Sequence, residues 1–383
     1  MSKFKKNILY SFEIIGIAAI YYFSAKVGQT FAIPPGNITP IWLPSGIMLA
    51  LMIIRGYRIW PGIFLGAFAG NATSYMDFSE IGSILATVFS GTMNGIGDVI
   101  CVALAVFLMK RYADSTNLFK DIIAFWQFLL FGVALGPLIS ALFGVISLTV
   151  TGFISVADAP VALLTWWVGD SVGALLITPI ILAFYFPTRI ISLRTKGIEL
   201  LVFILILGFI STIELNPKSS YTLITDSVFI MIPLLFWSIF RFGNRITYST
   251  ILYFFIISLY LTTTGHSVFS SQIQLFSLLQ MQIYFMVVSC GVFIISAIHH
   301  EKEEMAGQLS AAISYDPLTN SGSRVSFDQM LDSEIERAKR YDRIFSLVIC
   351  DLDHFKQVND HYGHMIGDEI LKQFASVIQT NLR

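Results

Sequence analysis

The sequence predicts a polytopic α-helical membrane bundle of about eight to ten spans, followed by a small cytoplasmic α/β domain. Three observations lead there. Hydrophobic residues make up 55% of the 383-residue chain and charged residues only 13%, against about 25% charged in ordinary soluble domains. The charge is also uneven: of the 24 Lys and Arg, 15 fall in residues 1–300 and 9 in the last 83. The pattern then changes in the tail, where an apolar run from Phe345 to Cys350 ends on the acidic tip Asp351-Leu352-Asp353. Such a run reads as a buried strand.

Ten apolar segments follow one another at 8–29, 41–54, 60–75, 81–109, 122–151, 160–186, 198–214, 226–240, 246–264 and 272–298. A span needs about 20 apolar residues, so the second, third and eighth are short. Pairing the second and third as one re-entrant hairpin lowers the count of crossings. Lys3, Lys5 and Lys6 before the first run imitate a secretory signal. The run from Ile8 to about Phe31 is too long for one and has no A-x-A site, so it is kept as a span. From about Ile295 to Ile313 there is no Pro, and Met305, Leu309, Ala312 and Ile313 recur at helical spacing. The last span is therefore expected to continue as a cytoplasmic helix, paired with its copy in a second protomer. Asp316-Pro317 breaks it. A helix over about 324–341, a strand at 345–350 and a final helix from near Gly367 complete the chain. The expected units are a membrane domain at 1–298, a signalling helix at 299–315 and a soluble domain at 316–383.

With the N-terminus inside, the cytoplasmic connections hold Lys3, Lys5, Lys6, Arg55, Arg58, Lys110, Arg111, Lys120, Arg189, Arg194, Lys196, Arg241 and Arg245. The outer connections hold Lys218 alone among cations, beside Asp77, Glu80, Asp158 and Asp226. This asymmetry predicts a multi-pass protein of the plasma (inner) membrane with both termini cytoplasmic. The lipid bilayer is its first partner. A net charge of −1 and the lack of a basic stripe exclude nucleic acid. Cys101, Cys290 and Cys350 are scattered through apolar runs, which points to packing rather than metal or disulfide chemistry.

Two mid-span acids, Asp98 and Asp170, each follow a Gly and lie on spans of the same direction. An ionisable group at that depth costs at least about 2.5–3.5 kcal/mol unless paired or hydrated. They are candidates for an intramembrane ligand, ion or proton site, or for a structural pair bonded to Asn94, Trp166 or Trp167. Glu13 and Lys26 lie nearer the ends of the first span and are expected to snorkel. His266, His299 and His300 fall in a loop or at a membrane edge.

Pro40-Ile41-Trp42-Leu43-Pro44-Ser45-Gly46, Gly56-Tyr57-Arg58-Ile59-Trp60-Pro61 and Trp166-Trp167-Val168-Gly169-Asp170 with Pro179 beyond are similar to the MASE-type membrane-associated sensor domains of bacterial signalling enzymes. The likeness implies an unknown sensory ligand.

The tail run Asp351-Leu352-Asp353-His354-Phe355-Lys356-Gln357-Val358-Asn359-Asp360, with Gly363-His364 and Gly367-Asp368 after it, resembles the nucleotide-binding half of the palm-like GGDEF domain, the diguanylate cyclases. That resemblance implies two GTP joined into cyclic di-GMP across a homodimer formed through the signalling helix and the GGDEF domain, with Mg²⁺ as cofactor. Asp351 would be a metal carboxylate and Leu352 would offer its carbonyl to the metal. Backbone amides around His354 and Phe355 would face the phosphates, and Asn359 and Asp368 would bond the guanine edge. Asp353, Lys356, Asp360 and His364 are expected to cap helices or face solvent. The family's opening turn is present with Asn320 where a Gly is usual and Ser321 in place of an apolar residue. Its signature hairpin lies beyond Arg383. The expectation is an incomplete GGDEF domain with no complete catalytic set, inactive as these 383 residues. The competing readings are a non-catalytic receptor with a degenerate tail, and a transporter built on the spans and the buried acids.

Overall fold

A computed structural model describes residues 3–32, 39–74, 80–112, 122–186, 193–215 and 227–381. The chain divides into two units, residues 1–300 and 301–383, and each is taken by itself below.

The first unit is built of helices joined by short connections in its described residues. Its helices are α1 (Lys3–Gln29), α2 (Leu43–Arg55), α3 (Trp60–Ala72), α4 (Ile81–Tyr112), α5 (Ile122–Gln127), α6 (Gly136–Val150), α7 (Ala159–Tyr185), α8 (Leu193–Glu214), α9 (Ser227–Phe242), α10 (Asn244–Thr263) and α11 (Gln274–Ile313). Each of the ten apolar segments thus becomes a helix, with the fifth assembled from α5, a π-helical stretch Phe128–Leu135, and α6. Six helices among the described residues are long and apolar enough to cross a membrane. Helices α2 and α3 have 13 residues each, roughly 20 Å at 1.5 Å per residue. They are short of a hydrocarbon core about 30 Å thick.

Polar groups sit where the apolar environment makes bonds strong. The π-helical stretch shifts the backbone register, and the carbonyls of Val133 and Ala134 accept from Ser171 Oγ (2.7 Å) and Trp167 Nε1 (2.9 Å) on α7. Glu13 of α1 does not merely snorkel. It pairs with Arg55 (2.6 Å) and Arg58 (2.9 Å) at the α2–α3 turn, so the N-terminal part of α1 and that turn lie at one end of the bundle. Glu199 of α8 likewise pairs with Arg241 of α9 at 2.6 Å, and Arg245 of α10 donates to the carbonyl of Ala183 near the end of α7 at 2.9 Å. These contacts tie basic residues at helix ends to acidic or carbonyl partners on neighbouring helices. Asp77, Lys120, Arg189, Lys218 and Asp226, and the side chains of Lys3 and Arg194, lie outside the described residues. Lys26 bonds Gln29 at 2.9 Å.

Helix α11 runs without a break from Gln274 to Ile313, through the division between the units. Its membrane part packs aromatic rings against α10, with Tyr248–Phe293 centroids 4.6 Å apart and Phe255–Phe285 5.2 Å apart. Met305 is exposed. The side chains of Leu309, Ala312 and Ile313 lie outside the described residues.

The second unit carries α12 (Arg324–Tyr341), α13 (Phe355–Tyr362) and α14 (His364–Asn381). The helix expected over 324–341 is present, and the last one begins three residues earlier than Gly367. The strand expected at 345–350 does not form, and no named strand occurs among the described residues. A strand is held by its ladder partners, and none is described here. Leu347, Val348 and Ile349 accordingly stand exposed.

Candidate functional site

The membrane unit builds its site on a close approach of two backbones. The chain entering α2 lies directly on α7: the Trp42 amide donates to the Gly169 carbonyl at 3.1 Å. A Cβ added at Gly173 would coincide with the Trp42 carbonyl, and one at Gly46 with the Gly173 carbonyl. Thr178 Oγ1 then donates to the Gly46 carbonyl at 3.0 Å. Only glycines allow this contact. It brings two of the diffuse sequence motifs, Pro40–Gly46 and Trp166–Asp170, into one place. On the other side of that entry segment, Gln282 Nε2 of α11 donates to the Pro40 carbonyl at 2.6 Å.

Asp98 and Asp170 meet beside this contact, close enough for their charges to interact. They are differently placed. Asp98 Oδ2 accepts from the Tyr21 hydroxyl of α1, and Oδ1 accepts from the Ser140 hydroxyl of α6 at 2.6 Å. The Trp42 indole in turn donates to the Tyr21 oxygen at 3.2 Å. One carboxylate therefore ties α1, α4 and α6 together and reaches the entry to α2. Asp170 is 0% exposed, and neither of its oxygens has a hydrogen-bond partner among the described residues. The Ser140, Ser45 and Trp166 side chains, each able to donate, lie around it without closing a hydrogen bond of normal geometry. No Lys, Arg or His pairs with either acid among the described residues.

The sequence had singled out the two acids and Trp166, which stands beside Asp170, but not Tyr21, Ser140 or Ser45. Asn94 and Trp167, expected as alternatives, bond elsewhere, with Ser147 and Ala134. Tyr21 and Trp42 carried a signal, an apolar ring with a polar tip inside a span. Ser140 carried none, since a serine facing a ligand and a serine allowing close packing look alike.

In the soluble unit the opening turn is well formed. Asp316 Oδ1 accepts from Thr319 N and Thr319 Oγ1, both at 2.8 Å, and from Leu318 N at 3.2 Å. The Thr319 hydroxyl and amide hold the Asp316 carboxyl below the usual carboxylate range. Asn320 adopts φ 53°, the left-handed conformation that a Gly or Asn tolerates. Gln379 of α14 donates to the Asn320 carbonyl and the Ser321 hydroxyl, both at 3.3 Å.

Helix α13 starts at His354, itself at φ 57°. Asp351 is exposed before it, and the Leu352 carbonyl accepts only a long 3.4 Å contact from Phe355 N. Asn359 projects from α13 against Gly367 on α14, where an added Cβ would coincide with its side-chain amide. The helix–turn–helix therefore places Asn359 next to the turn of α14 that bears Asp368. Asp353, Lys356, Asp360 and His364 are all exposed. No group of three His, Cys, Asp or Glu able to hold a metal occurs among the described residues.

Comparison with known proteins agrees with this division. The MASE1 family model matches residues 15–303, and the model described as diguanylate cyclase, GGDEF domain, matches residues 313–383. The diguanylate cyclase DgcS of Shewanella oneidensis is 41% identical over 76 residues, 20% of this chain and 26% of that protein. The probable diguanylate cyclase DgcE of Escherichia coli K12 is 39% identical over 83 residues, 22% of this chain and 8% of that protein. The uncharacterized protein YtrP of Bacillus subtilis is 33% identical over 111 residues, 28% of this chain and 18% of that one. The matched part is thus about a quarter or less of each relative. No solved structure matches the chain. The chain belongs to the MASE1 family of membrane sensor domains and carries a GGDEF domain at its C-terminal end.

Proposed function

We propose that this protein is a receptor of the plasma (inner) membrane, both termini cytoplasmic, that passes an unidentified stimulus from its MASE1 half to a cytoplasmic diguanylate cyclase domain. The working division is residues 1–298 for reception, 299–315 for transmission and 316–383 for nucleotide binding. One observation carries the reading: α11 bonds the Pro40 segment through Gln282 and continues unbroken to Ile313. A shift at the α2–α7 contact, where Asp98 and Asp170 meet, acts on Gln282 first. Rotation of a rigid helix, paired with its copy in a homodimer, then changes the approach of the two nucleotide-binding domains.

In the soluble unit Asn359 and Asp368 bond the guanine edge of GTP, and the amides around His354 and Phe355 face its phosphates. The oxygens of Asp351 and Leu352 suit Mg²⁺, a hard cation usually held by one or two protein oxygens plus phosphate. Bound there, Mg²⁺ would neutralise phosphate charge and activate an attacking ribose hydroxyl. The described residues offer one metal carboxylate, whereas the two-metal chemistry of the family uses more. The 383 residues are therefore expected to bind GTP weakly and to form no cyclic di-GMP by themselves.

The test is GTP binding by the full chain in lipid nanodiscs, read with a fluorescent GTP and competed with ATP. Binding that needs Mg²⁺, resists ATP and falls about tenfold in Asn359→Ala or Asp368→Ala supports the reading. Binding that ignores both substitutions overturns the nucleotide site. Cyclic di-GMP in the reaction, measured by mass spectrometry, overturns the expected inactivity.

A further inference from the structure

The two buried acids stand at the inner end of a polar seam. Helices α4 and α6 face each other with three polar rungs. Ser90 and Thr151 pair their hydroxyls at 3.1 Å, Ser147 Oγ, which donates to the Gly144 carbonyl at 2.8 Å, stands 3.5 Å from Asn94 Oδ1, and Ser140 donates to Asp98 at 2.6 Å. On α4 these positions, 90, 94 and 98, recur about every helical turn, roughly 6 Å apart. On α6 Ser147 and Ser140 lie two turns apart, about 10 Å, so between those two rungs the seam is carried by Asn94 and Asp98 of α4. The seam opens at Thr151, which is only part buried, while Ser90, Asn94, Ser147, Ser140 and Asp98 are buried. Its open end is the end of α4 opposite Lys110 and Arg111.

Two independent features show that the seam is more than a packing stripe. Asn94 Nδ2 is buried without a partner, and so are both oxygens of Asp170. Polar groups in such a setting cost free energy unless something satisfies them. A metal ion fits poorly. The groups nearest Asp170 include the Trp166 indole, a donor only, and a Ser140 hydroxyl whose proton is committed to Asp98. The titratable groups facing the acids are Tyr21 from α1 and Cys101 from α4, together with each other. Helices α3 and α6 and the π-helical stretch carry none. On α2 the charged group is Arg55, paired with Glu13. On α10, Arg245 is bonded to Ala183 and Tyr248 to Ser296. No cation among the described residues neutralises the pair.

We propose that Asp170 takes up a proton that enters at Thr151 and passes along the α4–α6 seam to the acid pair, so that the proton itself is the ligand of the membrane half. Asp98, held by two hydroxyls, stays the anionic partner, and Asp170 accepts the proton on one of its unpartnered oxygens. This deepens the reading of the membrane half as a sensor by naming its stimulus class. Proton uptake does not depend on the GGDEF domain, so the test omits nucleotide.

The test is infrared difference spectroscopy of the full chain in lipid nanodiscs, between neutral and mildly acidic buffer. A protonated-carboxyl band in the parent that is lost in Asp170→Asn is expected. Should that variant fail to fold, Ser147→Ala and Asn94→Leu report instead: after a pH jump the band should rise at least tenfold more slowly than in the parent, with its final size unchanged. A band that persists in Asp170→Asn, one that responds to Na⁺ at fixed pH, or one whose rise is unaffected by both seam variants overturns the proposal. Failure of GTP binding leaves all of these bands in place, and so separates the two ideas.

Discussion

The two units invert the usual relation between sequence signal and structural order. The soluble unit has the sharper motif, and among its described residues only Gly367 and Ala375 are buried. The membrane unit has diffuse motifs of Trp, Gly and Pro, yet it buries a continuous apolar core running from Ile17 to Phe293. The difference shows what each kind of motif encodes. In the proposed nucleotide site the residues around Asp351 act by what they would offer a ligand, and their exposure suits that task. Glycines at 46 and 173 are chosen for what they leave out, and their effect appears only when two helices meet.

That contrast is sharpest at Gly173. A Cβ there would coincide with the Trp42 carbonyl, and backbone cannot move aside as a flexible side chain does. Gly173→Ala is expected to destabilise the membrane unit by about 3 kcal/mol or more, at the upper end of overpacking costs. Gly208→Ala on α8, where a Cβ meets nothing within 4 Å, should instead be neutral or stabilising by up to about 1 kcal/mol. Denaturation in detergent followed by tryptophan fluorescence measures both. Equal effects would show that the α2–α7 contact is not what limits stability. Next in size is Tyr21→Phe, which removes the donor to Asp98 Oδ2 and the acceptor of the Trp42 indole. Leaving buried polar groups unpaired costs about 1–3 kcal/mol, and Ser140→Ala should fall in the same range. A Tyr21→Phe protein as stable as the parent would mean that the Asp98 cluster is not a structural tie.

The helices were legible because a span announces itself by length and apolar content. All ten apolar segments became helices. The strand over 345–350 was not. Its β-branched residues favour a strand, but propensity acts through neighbours that pack against it, and none is described. At the site, Asp98 and Asp170 were visible because charge inside a span is rare. The partners of Asp98, Tyr21 and Ser140, come from two other helices, and pairings across that sequence separation are set by packing. The left-handed Asn320 was legible locally, since a short polar side chain is what that conformation tolerates.

Smaller effects test the surface of each unit. Glu13 pairs with Arg55 and Arg58, whose side chains are about half exposed. Solvent screens such pairs to roughly 0–1 kcal/mol, so Glu13→Gln should shift stability by no more than that and less at high salt. A loss several times larger would show that the pair is shielded from water and fixes the α1 end against the α2–α3 turn.

The counterpart in the soluble unit is Asp316, half-buried and tied by three donors. Its carboxyl is held below the ordinary Asp value of about 3.9, first by the Thr319 hydroxyl and then by the Thr319 and Leu318 amides. A carboxyl whose folded value is depressed adds stability that is present above the unfolded value and is lost as pH falls through the folded one. The turn should therefore be insensitive to pH from neutrality down to about 4 and loosen only below that. The Thr319 amide resonance of selectively labelled protein, followed against pH, reports it directly. A midpoint under the ordinary Asp value, abolished in Asp316→Asn, means the turn is organised by its own hydrogen bonds, without a buried core. A midpoint at or above that value means the three donors do not hold the carboxylate in solution, and the order of this turn must come from residues packed around it.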